Sequence, residues 1–583
     1  MSDSTFSQSL LTPFKDRLRV PPVRRPRTTG RDLRIRMRPV QVRLHAELPP
    51  SDVWTYEGQF PGPTIDVRRG QELRVEWINA IPTGTPYPVT AVTAPDGTQN
   101  QPGRSGRAAN ATVASLPPWT VVHLHGGRTL ANSDGWTENG ILPGQSSPSY
   151  YANDQRAALL WYHDHAMGIT RFNVYAGLAG LYIIRDDEED ALGLPRGRHE
   201  VPLLIQDRNL DTGPDGQLTG RLLHKVEDGT MEFFGPYTLV NGAIWPYMAV
   251  EPRQYRLRLL NGSNARTYRL VLLDEHGQSQ LGHLRQIGAE GGLFGSAVAV
   301  PADGLILAPA ERADLIADFR AFRGRRLVLV NTAGAPFDGA PAAVPAGTAD
   351  PGNRLVYPNV MQFRVSPRPV DDPFVLPQRL SSFQRLTAAA LPPACTRRMV
   401  ALVEYPAGML TLRELASVPE GESTDAPLIT VVDDGGRATR YRTLAAHFED
   451  TTNWFVPYGA TEVWMILNLT EDMHPFHVHL VQFQALGRDR YDIAGFQPAS
   501  GATTTPVRFT EHGMLDANEL GWKDTVRVNP GELVSIAATF EGFTGRYMYH
   551  CHILEHEDHD MMRPFIVMPS AALAAMGMAD MPM

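Results

Sequence analysis

The sequence predicts an all-β protein made of three packed β-sandwiches, on three observations. Proline (48) and glycine (51) punctuate the chain from end to end, a pattern that breaks helices but suits a succession of short strands. Between these breaks lie short runs rich in Val, Ile, Leu and Tyr, as at residues 181–184, 255–260 and 327–330, while helical periodicity is scarce. Two shifts in composition, an acidic, turn-rich stretch at 186–199 and a Pro-rich one at 366–377, divide the chain into parts of comparable length. The expected units are therefore 1–190, 191–370 and 371–583.

The elements follow in chain order. Lys15, Arg17, Arg19, Arg24, Arg25, Arg27, Arg31, Arg34, Arg36 and Arg38 form a basic arm facing few acids. Charge runs are more often a solvated or self-packed face than a docking site, and this arm is read that way. Arg24-Arg25 is followed by Pro26 and polar residues where an export signal needs an apolar stretch. The polar stretch 82–118 reads as a surface loop interrupting the first sandwich. Gly288, Gly291, Gly292 and Gly295 lack the spacing of a dinucleotide fingerprint and read as turns. Segments 305–319 and 532–540 have strand composition bounded by Pro or Gly.

Bulk properties narrow the partners. With 54 Lys+Arg against 63 Asp+Glu the net charge is −9, which gives no general attraction for nucleic acid or an anionic membrane. No apolar run reaches the length of a membrane span, the pattern of a soluble protein. Cys395 and Cys551 are the two cysteines, and Cys551 sits inside a histidine cluster, so no disulfide framework is expected. A cytoplasmic location follows as the expectation, with spore- or cell-surface association left open.

Ten of the 18 histidines fall in four groups: His123 and His125; His163 and His165; His474, His477 and His479; His550, His552 and His556. In a strand alternate side chains share a face, so each His-x-His pair presents two imidazoles to one side, roughly 6–7 Å apart. Cys551 then faces away from His550 and His552. A thiolate, two imidazoles and a distant thioether make a blue-copper site, for which Cys551, His556 and Met561 are suited. His474 lies an odd offset from His477 and His479, which places it with the thiolate. The remaining eight, His123, His125, His163, His165, His477, His479, His550 and His552, suit three copper ions. Zinc, held in separate tetrahedral sites, uses such a set poorly. A single His-x-His is more often structural than a ligand pair; four together with Cys and Met at these offsets are not.

These residues resemble the multicopper oxidases: His-Leu-His-Gly at 123–126, Trp-Tyr-His-Asp-His at 161–165, His-Pro-Phe-His-Val-His at 474–479 and His-Cys-His-Ile-Leu-Glu-His at 550–556. Phe60-Pro61-Gly62-Pro63-Thr64-Ile65, Val240-Asn241-Gly242, Ala308-Pro309-Ala310-Glu311-Arg312, Gly521-Trp522-Lys523-Asp524 and His556-Glu557-Asp558 are most similar to the bacterial spore-coat laccases, phenoxazinone synthase and bilirubin oxidase. The resemblance, covering about 48–565, implies three cupredoxin-like Greek-key β-sandwich domains with a copper-free middle one. It also implies four copper ions. Type 1 would be held by His474, Cys551, His556 and Met561, type 2 by His123 and His477, and the type 3 pair by His125, His163, His165, His479, His550 and His552. His556 would be the edge where substrate electrons enter, and Asp134 and Glu557 would supply protons near the trinuclear centre.

The implied function is one-electron oxidation of small aromatic substrates, phenols and aminophenols, coupled to reduction of dioxygen to water. Phenoxazinone-forming or bilirubin-oxidising specificity shares the same ligands. A cuprous-ion oxidase is the alternative suggested by Met576, Met578, Met581 and Met583, but a short terminal tail is more often disordered, and no Met-rich insertion lies between His479 and His550. A copper-carrying module without turnover has no use for eight imidazoles in one place. The sequence is silent on oligomeric state.

Overall fold

The computed structural model describes residues 11–26, 32–95, 97–227, 231–339, 359–392, 395–405, 408–424 and 426–577. They form strands joined by turns, with only short helices. Most of the strands assemble into three successive pairs of sheets, beside a three-stranded and a two-stranded sheet.

The first pair joins a five-stranded sheet, in the order Val23–Arg24, Gly62–Arg68, Ala179–Arg185, Ala158–Asp164 and Val122–His125, to a four-stranded sheet of Ser51–Tyr56, Asp32–Val42, Leu73–Asn79 and Ser146–Tyr151. Strand Leu73–Asn79 shows why the sheets stack: Leu73, Val75, Trp77 and Asn79 are buried while Arg74, Glu76 and Ile78 are half-exposed, the two-residue period of one covered face. Trp54 and Trp77 are buried in the core between them, and side chains of that size contribute on the order of 5 kcal/mol each before entropy is counted.

The second pair is a seven-stranded and a five-stranded sheet between Glu200 and Val365, packed around Leu203, Leu257, Leu270, Leu315 and Phe363. In strand Gln254–Asn261 every residue is buried. Its Arg256 and Arg258 are tolerated there because Asp314 and Glu200 take their Nε groups at 2.9 and 2.7 Å.

The third pair is a closed eight-stranded barrel with Thr396–Glu404 and Thr461–Asn468 adjacent, and a five-stranded sheet ordered Phe455–Pro457, Met562–Met568, Gly545–Cys551, His474–Val478 and Thr525–Val528. Trp464, Phe476, Tyr549 and Phe565 fill the space between. Between the second and third pairs, residues 366–395 carry no strand among those described, and Leu380 pins that strap by burial.

Three readings of the sequence need correction. The stretch 82–118 is not a surface loop throughout. Its strand Val89–Ala94 runs parallel to Leu218–Glu227 at the edge of a separate three-stranded sheet, with Val89, Ala91, Val92 and Ala94 buried. Polar composition around it hid a short, almost wholly buried run of six residues. Segment 305–319 is two strands, Leu305–Leu307 and Arg312–Asp318, in different sheets; the chain turns at Ala310, whose φ is 67°. The glycine patch belongs to a hairpin of Leu284–Ala289 and Gly292–Ala299. Its tip abuts Trp522, where a Cβ on Gly291 would stand 2.4 Å from the Trp522 Cβ.

The basic arm packs on the protein itself. Phe14 and Leu18 donate backbone hydrogen bonds to Trp245 and Tyr247, and Lys15, Arg25 and Arg34 pair with Glu47, Asp66 and Glu76. Arg27 and Arg31, and Met578, Met581 and Met583 of the tail, lie outside the described residues. No helix among the described residues is long and apolar enough to cross a membrane. Cys395 and Cys551 are both free thiols.

Candidate metal centre

Two strand ladders carry the four histidine groups. In the first pair of sheets Val122–His125 runs antiparallel to Ala158–Asp164, with His123 opposite His163. In the third, His474–Val478 runs antiparallel to Gly545–Cys551, with His477 opposite His550. His165, His479 and His552 sit one residue beyond their strands, yet their amides keep the extended course by donating to the carbonyls of Val121, Met548 and Pro475. Each His-x-His pair therefore shares a face, with ring centroids 5.9, 5.8, 5.0 and 5.4 Å apart in chain order. The ladders meet face to face: His123 stacks on His479 at 3.9 Å and His125 on His477 at 3.7 Å.

On the other side of the Cys551 strand a triad forms. The Cys551 Sγ lies 3.5 Å from His474 Nδ1 and 3.7 Å from His556 Nδ1, and those two nitrogens are 3.3 Å apart. Three donors around one first-row ion at about 2 Å subtend edges of this length. Burial pushes the Cys551 thiol well above its ordinary value and His474 down to about 3, so a thiolate there needs a cation beside it. His474 Nε2 donates to the Thr470 hydroxyl oxygen at 2.7 Å, which leaves the Nδ1 lone pair for the triad. Met561 is fully buried; its amide donates to the His556 carbonyl and its carbonyl accepts from the Cys551 amide.

The eight facing imidazoles sort by distance into His165, His479 and His550; His125, His163 and His552; and His123 with His477. His125 stands between the last two groups and is also within reach of His123 and His477. Outer partners hold one nitrogen of most rings. Nδ1 of His123, His163, His477 and His550 donates to the carbonyls of Asp134, Asp164, Asp524 and Cys551 at 2.6–2.9 Å. Nδ1 of His479 donates to Asp134 Oδ2 at 2.7 Å, and Nδ1 of His165 lies 3.3 Å from Glu557 Oε1. His125 is reversed, with Nε2 on Asp524 Oδ1 at 3.0 Å.

The inward nitrogens, among them His123 Nε2, His163 Nε2, His477 Nε2 and His125 Nδ1, are buried with no hydrogen-bond partner. The Nε2 of His550 faces those of His165 and His479 at 3.3 and 3.2 Å, lone pair toward lone pair. Burial, and then the neighbouring rings, push His123, His125, His163, His477 and His479 well below their ordinary value. Neutral imidazoles aimed at one another without donors are what metal ions satisfy. The residues fit the copper ions expected of them.

Comparison with known proteins agrees. Family models described as multicopper oxidase match residues 39–98 with 110–189, and 423–571. A laccase of Bacillus subtilis is 35% identical over 95% of this chain and 98% of its own, and one of Bacillus stratosphericus 36% identical over 95% and 99%. The chain belongs to the multicopper oxidases. The crystal structure of a multicopper oxidase from Aquifex aeolicus superposes with a TM-score of 0.67 at 27% identity, covering 95% of this chain and 99% of that one. The cupredoxin-like sandwiches, the copper cofactor and a laccase-like oxidase reaction using oxygen come with that membership.

The carboxylates expected near the centre of this oxidase are beside it. Asp134 touches His479 and lies 3.6 Å from His123, and burial pushes its carboxyl up to about 6. Glu557 bridges His165 and His550 at 3.3 and 3.2 Å. Burial alone would raise Glu557, but those two histidines outweigh it and hold it below its usual range.

Three neighbours escaped the sequence reading. Asp524 and Arg312 sit in motifs that carried the resemblance, but neither is a metal-ligand type at ligand spacing, so no role attached to them. Glu232 had no signal at all. Its Oε1 lies 3.5 Å from the Nε2 of His556, and both residues are buried rather than open to solvent.

Proposed function

We propose that this laccase-like oxidase takes electrons singly from phenols and aminophenols at the His556 side and delivers them to dioxygen at the eight-histidine site. Copper, when bound, supplies reversible one-electron storage at the thiolate site and oxygen binding and reduction at the other. His474, Cys551, His556 and Met561 would hold type 1, His123 and His477 type 2, and His125, His163, His165, His479, His550 and His552 the type 3 pair.

The observation that carries the reading is the strand at 550–552. Cys551 turns its sulfur to the triad while its covalent neighbours turn imidazoles to the facing site, so the backbone joins the two sites directly. The chain's own residues do the rest. Outer carbonyls and carboxylates fix each imidazole's tautomer and orientation, and the buried walls exclude water. Asp134, in contact with His479, and Glu557, between His165 and His550, are placed to pass protons to the oxygen side. Glu232 lies on the side of His556 turned away from the triad, and the aromatic donor would deliver its electron from that side.

The test is spectroscopic and kinetic together. Copper-loaded protein is expected to show intense thiolate-to-copper absorption, and Cys551→Ser to lose both that band and oxygen uptake. Oxygen uptake that persists in Cys551→Ser refutes the path. Rates with 2-aminophenol, 2,6-dimethoxyphenol, bilirubin and Cu(I), compared on one preparation, decide the substrate class; turnover of Cu(I) alone rejects the aromatic reading.

A further inference from the structure

We propose that Arg312, a residue of the middle sandwich, is a positioning residue for the trinuclear copper site and acts through Asp524 to decide which nitrogen His125 turns inward. This rests on His125 being a copper ligand, as read above.

His125 is the exception among the eight rings. Wherever another ring of the set has an outer partner, Nδ1 takes it and Nε2 faces the centre. His125 gives Nε2 to Asp524 Oδ1 at 3.0 Å and leaves Nδ1 inward with no partner. A neutral imidazole offers a lone pair at only one nitrogen, and the hydrogen bond at the other selects it. Both Asp524 oxygens already accept from Arg312, and Oδ1 accepts from Nε2 as well, which holds the ring proton on Nε2 and the lone pair on Nδ1.

Arg312 holds the Asp524 side chain in place. Its Nη1 donates to Asp524 Oδ1 at 2.7 Å and its Nη2 to Oδ2, the two-pronged geometry that only a guanidinium supplies. Arg312 is itself fixed from two sandwiches: Nε donates to the Leu159 carbonyl at 3.0 Å, Nη1 to that of Ala310 at 3.0 Å, and its amide to Glu290 Oε1 at 3.0 Å. Arg312 and Asp524 are both buried. The backbone leaving His125 is moulded to the pair, since a Cβ on Gly126 would stand 2.5 Å from Asp524 Oδ2 and 2.6 Å from Arg312 Nη2.

A buried ion pair is weak evidence for stability, because an apolar pair of the same shape often serves as well. Here the geometry gives it another task. The Asp524 carbonyl also accepts from His477 Nδ1 at 2.7 Å, so one residue sets both rings of the stacked His125–His477 pair. The thiolate site is oriented by different groups, Thr470 on His474 and the Ile553 amide on Cys551. Disturbing Asp524 should therefore damage one copper site and spare the other. The middle sandwich, without a ligand of its own in this reading, takes part in building the centre.

The test compares Asp524→Asn, Arg312→Lys and His125→Ala with the parent by copper content, thiolate absorption, the type 2 electron paramagnetic resonance signal, and thermal midpoints of the copper-free proteins. Asn can turn an amide N–H toward Nε2, and Lys offers one prong where two are needed. Both variants are expected to keep the thiolate band while binding copper at the histidine site tenfold or more weakly and changing the type 2 signal; Arg312→Lys, which strands no charge, also keeps a near-parent copper-free midpoint. If Asp524→Asn does not fold, Arg312→Lys carries the same comparison. Full copper content and an unchanged type 2 signal in the folded variants, with His125→Ala losing that copper, overturns the role of Arg312 and leaves the ligand reading standing. Unchanged copper in His125→Ala overturns the ligand reading, and the proposal with it.

Discussion

His477 lies directly across the ladder from His550, and the preceding Phe476 lies across from Cys551. This register puts two imidazoles side by side on one face of the sheet. On the other face it packs the sulfur among the apolar side chains of the third sandwich, Phe476 included. A slip of one residue in either strand would reverse both assignments.

Because the facing ladders come from the first and third sandwiches, copper should clamp them together. Removing it leaves inward lone pairs opposed, as at His165, His479 and His550. The copper-free protein is expected to melt roughly 5 °C or more below the loaded one, with faster hydrogen exchange in Val122–His125 and His474–Val478. Equal midpoints and equal exchange would show that the ladders hold without metal.

Asp134→Asn should separate the two half-reactions. The amide it introduces can no longer pass a proton at the His479 contact, so steady turnover should fall on the order of a hundredfold. Anaerobic bleaching of the thiolate band by substrate should keep its rate. Slowing of both steps alike would point to general damage.

Glu232→Ala opens space beside the His556 Nε2. Burial pushes this carboxyl well above its ordinary range, so no charged partner is stranded by its loss. Bulky phenols should be oxidised with a several-fold higher kcat/KM, the thiolate band being unchanged. No change for substrates of any size would place electron entry elsewhere.

Glu519 gives the stability a defined acid limb. Burial alone would raise its carboxyl, but Arg488 and Arg527 outweigh that and bring it down to about 2 from 4.5. A depressed acid stabilises fully above its unfolded value and loses that contribution as pH falls through the folded one. The urea midpoint should therefore drop as pH falls from about 4.5 toward 2, by an amount on the order of 3 kcal/mol from this residue. Glu519→Gln is expected to be less stable at neutral pH and to flatten that limb; a limb of the same depth in the variant assigns it to other carboxylates.

What could be read from sequence depended on the range of the interaction that fixes each feature. The strands at 181–184, 255–260, 327–330 and 532–540 are where their composition places them, because alternation and turn residues act over a few positions. The strand Val89–Ala94 was missed because its partner Leu218–Glu227 lies more than a hundred residues away, and nothing local demands a parallel pairing. His474 joined Cys551 as strand parity required. Asp524 and Arg312, 212 residues apart, could be identified as partners only once the sandwiches were packed.

By itself the sequence determined the all-β build, through its turn residues and short apolar runs, and the grouping of ten histidines; the two-residue period of a strand then set sulfur against nitrogen around 551. Only the tertiary structure decided which rings meet, which nitrogen each turns inward, and that Glu232 stands beside His556. Those depend on hydrogen bonds and contacts between distant sandwiches, which no periodicity in the chain encodes.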